Sequence, residues 1–305
     1  MAEILTGAPV AEAMIRSLIP RAEKLRIGGV TPRLAIIRLG EVGSQLAYQH
    51  SAQRMMARIG AEAECFVLAE NCPQAELLAL VEEINRRRDI QGCMLLRPLP
   101  SPLDEQAVCA ALVPEKDVDG VTPASLGAVF TGRSVGYPPC TAQACIELLE
   151  HYGIGLTGKH VVLIGRSLVV GRPLSMLLQA KDATVTLCHS RSRDLPGLCQ
   201  RADILVAAAG SPGLIGKEHL SPGQTVIDVG INTVRGRLCG DVRFDEAEAI
   251  VQRISPVPGG VGAVTTAVLA KHLIDAAEKT ALPGLNRPRL CGQHKKHPLC
   301  RDMKF

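Results

Sequence analysis

Three observations in this sequence predict a two-domain α/β fold with a cleft between the domains. Short apolar runs alternate with stretches of helical apolar spacing, and the alternation occurs twice, in separate series. A Gly/Pro-rich passage divides the two series. In the second, Val162-Val-Leu-Ile-Gly-Arg-Ser-Leu-Val-Val-Gly-Arg-Pro173 turns from an apolar run into a tight Gly/Ser loop that opens a helix. Strands and helices alternating at these lengths imply parallel sheets covered on both faces.

The elements follow in order. From Ala2 to about Arg26 the apolar positions recur at helical spacing, and Arg33–Gly40 reads as a buried strand. Ser44–Ile59 is expected to be a helix, Ala63–Leu68 a strand, Pro73–Asp89 a helix, and Gly92–Leu96 a third strand ahead of Arg97-Pro-Leu-Pro100. Pro114–Pro123 and Gly136–Cys140 carry the turn residues of a domain crossover. The second series begins near Pro139, with strands at Val161–Ile164, Val185–Cys188, Ile204–Ala207 and Thr225–Val229. Val257-Pro-Gly-Gly-Val-Gly262 breaks the pattern again before a helix from about Ala263 to Glu278, which is expected to return to the first domain. The boundaries are therefore 1–138 plus 263–281 for the N-terminal α/β unit and 139–262 for a Rossmann unit. From Pro283 to Phe305 periodicity is lost, and a disordered basic tail is expected. Its Cys291, His294, His297 and Cys300 are soft metal ligands, but their x2 spacings match no zinc module, so no metal is expected.

Composition narrows the function. The chain has 305 residues, 47% of them hydrophobic, and a mean hydropathy of +0.16, enough for a sizeable core. A net charge of +4 argues against a nucleic-acid face, and three tyrosines without a tryptophan remove stacking platforms. No run of about 18 apolar residues could span a bilayer, so no membrane partner is expected. The start lacks the order of a signal peptide, and a cytoplasmic protein is expected. Eleven cysteines without a scaffold rhythm read as free thiols.

The residues that carry chemistry begin with the loop. A buried strand ending at Gly165, with Ser167 and Gly171 behind it, brings backbone N–H groups toward a pyrophosphate while the next helix start faces its charge. After the following strand, an NAD site wants an acid for the ribose hydroxyl, whereas this chain has His189-Ser190-Arg191-Ser192-Arg193. Ser190 and Arg191 suit a 2′-phosphate, which points to NADP; the ordinary alternative is a solvated turn. Asp119, in a Pro/Gly loop, can accept two parallel N–H bonds from an aminopyrimidine edge, or simply cap its turn. Tyr48 stands near the start of a helix in an aromatic-poor chain, as a cleft residue or as core packing. Pro258, Gly259 and Gly260 permit close backbone approach to a flat ligand, or form a hinge.

Four segments in collinear order resemble one family. Pro114-Glu-Lys-Asp-Val-Asp-Gly120, Val162–Gly171, Val226-Ile-Asp-Val-Gly-Ile-Asn232 with Gly240-Asp-Val242, and Pro256-Val-Pro-Gly-Gly-Val-Gly262 are similar to the bifunctional methylenetetrahydrofolate dehydrogenase/methenyltetrahydrofolate cyclohydrolase family. The resemblance covers roughly residues 2 to 281. It implies NADP-dependent oxidation of 5,10-methylenetetrahydrofolate, hydrolysis of the methenyl product, folate in the interdomain cleft, and homodimers formed through the cofactor domain. It also implies that Asp119 grips the pterin edge, that Tyr48 stacks on the benzoyl ring, and that Gly165, Arg166, Ser167, Ser190 and Ile231 line the NADP site.

One departure stands out. Where the family has Tyr-x3-Lys, with the lysine assigned to proton handling in hydrolysis, this chain reads Tyr48-Gln-His-Ser-Ala52. Where the strand motif ends Gln-Leu-Pro-Leu-Pro, it has Leu96-Arg97-Pro-Leu-Pro100, so the lysine's glutamine partner is lost as well. At about 100° per residue, position 52 shares the face of Tyr48 while Arg54 and His50 point elsewhere. Dehydrogenation is therefore expected to survive, with hydrolysis weak or absent. The competing readings are a shikimate-type or amino-acid NADP dehydrogenase of similar layout and a non-catalytic binder of folate or NADP.

Overall fold

The computed structural model describes residues 1–281. The chain opens with the two-residue strand β1 (Glu3–Ile4) and the helix α1 (Gly7–Ile27). Next come β2 (Arg33–Leu39), α2 (Gly43–Arg58), β3 (Glu62–Leu68), α3 (Gln74–Arg86) and β4 (Gly92–Leu95). These strands form a parallel sheet of order β3-β2-β4, with Leu34 opposite both Ala63 and Gly92. The central strand β2 is buried along nearly its whole length, as a continuous apolar run between two partners requires.

Helices α4 (Glu105–Ala111), α5 (Pro123–Thr131) and α6 (Cys140–His151) lead to the second sheet. It is built from β5 (His160–Ile164), α7 (Gly171–Gln179), β6 (Thr184–Cys188), α8 (Leu195–Gln200), β7 (Ile204–Ala207) and β8 (Thr225–Asp228). The hairpin β9 (Asn232–Val234) and β10 (Arg237–Cys239), the helix α9 (Phe244–Glu248), the strand β11 (Arg253–Ile254) and the helix α10 (Val261–Ala281) complete the chain. The six strands are parallel in the order β1-β11-β8-β7-β5-β6.

Both sheets have the same wiring. In the first sheet β2 lies between β3 and β4, and in the second β5 lies between β6 and β7, so the chain reverses its direction of travel beside β2 and again beside β5. Crevices open at the carboxyl ends of strands at such switch points, and ligands bind there. Between the sheets, α10 packs against α1, α6 and α2. One apolar core runs through all of them, from Leu34 and Met94 under the first sheet to Val161 and Val206 under the second.

The N-terminus differs from expectation. Residues 3–4 are an edge strand of the second sheet rather than the first turn of a helix, and α1 starts only at Gly7. Glu3 N–H donates to Gln252 O at 2.9 Å and Leu5 N–H to Ile254 O at 2.8 Å. A strand this short has no period of its own; distant partners hold it. The helix expected over 73–89 ends at Arg86, since Arg87 has extended backbone, and the closing helix begins earlier, at Val261. No described helix is long and apolar enough to cross a membrane. The tail with Cys291, His294, His297 and Cys300 lies outside the described residues.

Candidate active site

The loop that carries Asp119 is built around its neighbour. Asp117 is fully buried, bridges to Cys93 of β4, and accepts N–H bonds from Val121 at 2.9 Å and Thr122 at 2.8 Å. Gly120 has φ +72°, and a Cβ there would overlap the backbone of Pro138 and Pro139, so only glycine allows the loop to lie against the start of α6. From behind, His272 Nδ1 meets Val118 O at 2.9 Å while Tyr137 stacks on the imidazole with centroids 4.9 Å apart. Burial holds this histidine down at about 4, so it is neutral and donates to the carbonyl. Asp119 is thereby presented to a cleft of about 390 Å³, whose walls include Arg97, Cys109, Cys140, Leu168 and Val169. Burial raises its carboxyl to about 6, and the Arg97 charge opposes that rise.

Tyr48 sits on α2, half-buried against the main core. Its hydroxyl is pushed well up, first by burial and then by the Asp119 charge, so the two groups share one electrostatic environment. The cleft's lining nevertheless stops before Tyr48. Ala52 is fully buried and Leu96 is 3% exposed, both within the same apolar cluster, so hydrocarbon fills the position where a lysine would stand. Arg54 and His50 are exposed, as helical geometry requires. A larger cavity, between residues 70–74 and 100–103, holds none of the predicted site residues.

Sequence reasoning passed over Gln45, three residues before Tyr48 on the same helix. Its Nε2 donates to Pro98 O at 3.1 Å, which orients the amide and leaves the buried Oε1 without a partner, the one such side-chain atom among the described residues. An unpaired buried acceptor costs about 1–3 kcal/mol. Gln45→Met is therefore expected to stabilise the ligand-free protein by about 1 kcal/mol, read as a higher denaturation midpoint, because Pro98 is exposed and water can replace the lost donor. A lower midpoint would contradict this.

The second half of the site lies at the β5 switch point. Gly165 has φ +116°, and a Cβ on it would overlap Ala208 O, while one on Gly171 would overlap Gly165 O. The glycines are thus demanded by the folding of the loop on itself and on the end of β7. Ser167 Oγ accepts from Val170 N at 3.1 Å, and the Arg166 and Ser167 side chains are exposed. After β6, Ser190 and Arg191 are exposed, in a turn fixed by His189 N–H donating to Ser192 Oγ at 2.9 Å. Ile231 is 68% exposed, at the end of β8 beside the first turn of α10. Pro258 and Gly259 are exposed just ahead of α10. Gly260 instead is buried against α1, where Gly7 N–H donates to Gly259 O at 2.7 Å.

Two buried carboxylates stitch these loops together, and sequence reasoning gave them no role. Asp228 accepts from the N–H groups of Gly230, Asp241 and Val242, each at 3.0 Å. Asp241 accepts from Ala209, Gly210 and Ser211 at 2.6, 2.9 and 2.8 Å, and from Asn232 Nδ2 at 2.9 Å. A Cβ at Gly230 would strike Asp241, and one at Gly240 would strike Asp228, so the whole Asp-x-Gly…Gly-Asp pattern is one interlocked unit.

Comparison with known proteins agrees with the two-unit fold. Residues 5–119 match the model of the tetrahydrofolate dehydrogenase/cyclohydrolase catalytic domain, and residues 139–281 match that family's NAD(P)-binding domain. The chain belongs to this family. Within it, the chain is 45% identical to the bifunctional protein FolD of Carboxydothermus hydrogenoformans over 281 residues, 91% of this chain and 98% of that one. The crystal structure of bifunctional FolD from Campylobacter jejuni superposes with a TM-score of 0.89 at 33% identity, covering 92% of this chain and 99% of the other. The Trypanosoma brucei family member, complexed with NADP cofactor and an inhibitor, gives a TM-score of 0.86 at 34% identity, covering 91% and 98%.

Proposed function

We propose that this protein oxidises 5,10-methylenetetrahydrofolate to the methenyl compound with NADP, in one-carbon metabolism, and that hydrolysis of the product is weak or absent. The observation that carries the reading is one cleft with Asp119 on one wall and the β5–α7 loop on the other. NADP supplies the hydride acceptor when bound. The residues fit it: a switch-point crevice between β5 and β7, exposed Leu168, Val169 and Ile231 as an apolar floor, and exposed Ser190 and Arg191 for a 2′-phosphate. Arg166, Ser167 and the backbone at Gly165 would hold the pyrophosphate. Asp119 would hold the pterin, with Tyr48, Pro258, Gly259 and Gly260 around the remainder. The reading extends to a cytoplasmic homodimer formed through the cofactor unit.

Oxidation asks the protein mainly for positioning, because the electron push comes from substrate nitrogen. Hydrolysis asks for proton transfers, where a placed group is worth about 10²–10⁴ in rate. Ala52 and Leu96 put hydrocarbon where the family's lysine and its glutamine partner would stand. Mixing the protein with methylenetetrahydrofolate and NADP is expected to build up methenyl absorbance that decays no faster than in buffer. No methenyl signal would refute the dehydrogenase reading, and rapid protein-dependent decay would refute the loss of hydrolysis.

A further inference from the structure

Among the residues lining the Asp119 cleft, Arg97 is the one cation. Its Nη1 donates to Glu105 Oε1 at 3.3 Å, and the other Glu105 oxygen accepts from Leu99 N at 2.9 Å. Glu105 is thus anchored to backbone and holds the guanidinium from one side. No other hydrogen bond of that guanidinium exists among the described residues, so most of its five donors remain unspent in the cleft that Asp119 faces.

The edge of a reduced pterin sets out three groups in a row: the 2-amino N–H, the N3–H and the 4-oxo oxygen. A carboxylate takes the two donors in parallel and has nothing to offer the neighbouring oxygen. That oxygen needs a donor beside the carboxylate, and several of the nearby backbone N–H groups are already committed. Gly120 N–H donates to Asp117 O at 3.3 Å, Val121 N–H to Asp117 Oδ1 at 2.9 Å, and Leu99 N–H to Glu105. Cys140 Sγ donates to Val118 O at 3.3 Å. Gln106 and Thr141 bring neutral donors to the same lining, and Arg97 is the charged one, whose charge also acts on Asp119.

Resting on the folate reading above, we propose that Arg97 is a specificity-determining residue that donates to the pterin 4-oxo group, so that Asp119 and Arg97 together read a 2-amino-4-oxo edge and reject a 2,4-diamino one. A 4-amino group would turn an N–H toward the guanidinium and leave both donors unmatched, a penalty paid only by the wrong ligand. The Arg97 charge also favours the ionised form of Asp119, which is the form that accepts both N–H bonds.

Calorimetric titration of the full chain with tetrahydrofolate, with a 2,4-diaminopteridine bearing the same side chain, and with NADP tests this. The parent is expected to prefer the oxo compound. Arg97→Leu should bind tetrahydrofolate about tenfold more weakly, leave the diamino compound unchanged or tighter, and so shrink the oxo-over-diamino ratio by tenfold or more. Arg97→Lys, which keeps a donor without the planar fork, should fall between. An unchanged ratio in Arg97→Leu overturns the proposal, as does joint loss of NADP binding in both variants, which would make Arg97 a folding residue. Failure of the parent to bind tetrahydrofolate, with NADP still bound, overturns the folate reading itself and this inference with it.

Discussion

Asp119→Asn is expected to lower kcat/KM for methylenetetrahydrofolate by roughly 10²–10³, with NADP affinity unchanged, because two charge-assisted hydrogen bonds of about 1.5–3 kcal/mol each are weakened and an amide donor is turned toward a substrate donor. The pH profile carries the sharper test. Burial raises the Asp119 carboxyl from 3.8 to about 6, so the accepting, ionised form grows in as pH rises through about 6. The parent's kcat/KM should climb across that range and level off above it, and this limb should be missing in Asp119→Asn. A raised carboxyl also means that the native state binds the proton more tightly than the unfolded chain. Fold stability at this site therefore falls as pH rises from about 4 toward 6, and the asparagine variant should be the more stable protein at pH 7. Near-parental turnover, or an acid limb that persists in the variant, would remove Asp119 from the binding role.

Asp241→Ala should be the most damaging single change to the cofactor side. Four donors converge on this fully buried carboxylate, three of them backbone N–H groups of the loop after β7. Truncation takes the shared acceptor from these part-buried donors, at a cost of about 3 kcal/mol. For a chain of this size that corresponds to a Tm lower by about 5 °C. The loop is also the wall that Gly165 packs against, so NADP binding should weaken in protein that is still folded. A Tm within about 2 °C of the parent would mean that the loop is held by something other than this carboxylate.

Much of the fold was legible in the residues themselves. Arg33–Leu39 and His160–Ile164 are apolar runs that need cover on both faces, and parallel central strands are what such runs become. The Gly165…Gly171 turn and the Asp117–Gly120 loop were visible because tight turns demand special residues at set spacings. The β1 strand was not visible, since two residues have no periodicity and its partners lie some 250 positions away. The importance of Asp228 and Asp241 was hidden for a related reason. A carboxylate that binds backbone N–H groups leaves no pattern among neighbouring side chains. Arg97 was noticed in sequence only as part of a changed motif, and its place in the cleft depends on how β4 and α4 are set against the 117–120 loop.

The order of residues by itself determined two α/β units, the glycine-bearing turns at their strand ends and the absence of a lysine beside Tyr48, because each of these rests on local spacing and side-chain type. Tertiary structure alone decided that Glu3–Ile4 joins the second sheet, that hydrocarbon closes over Ala52, and that Arg97, Asp119 and the Leu168–Val169 loop surround one cavity. Those outcomes depend on burial and on contacts between positions far apart in the chain, which become fixed only when α1, α6 and α10 pack the two sheets around a common core.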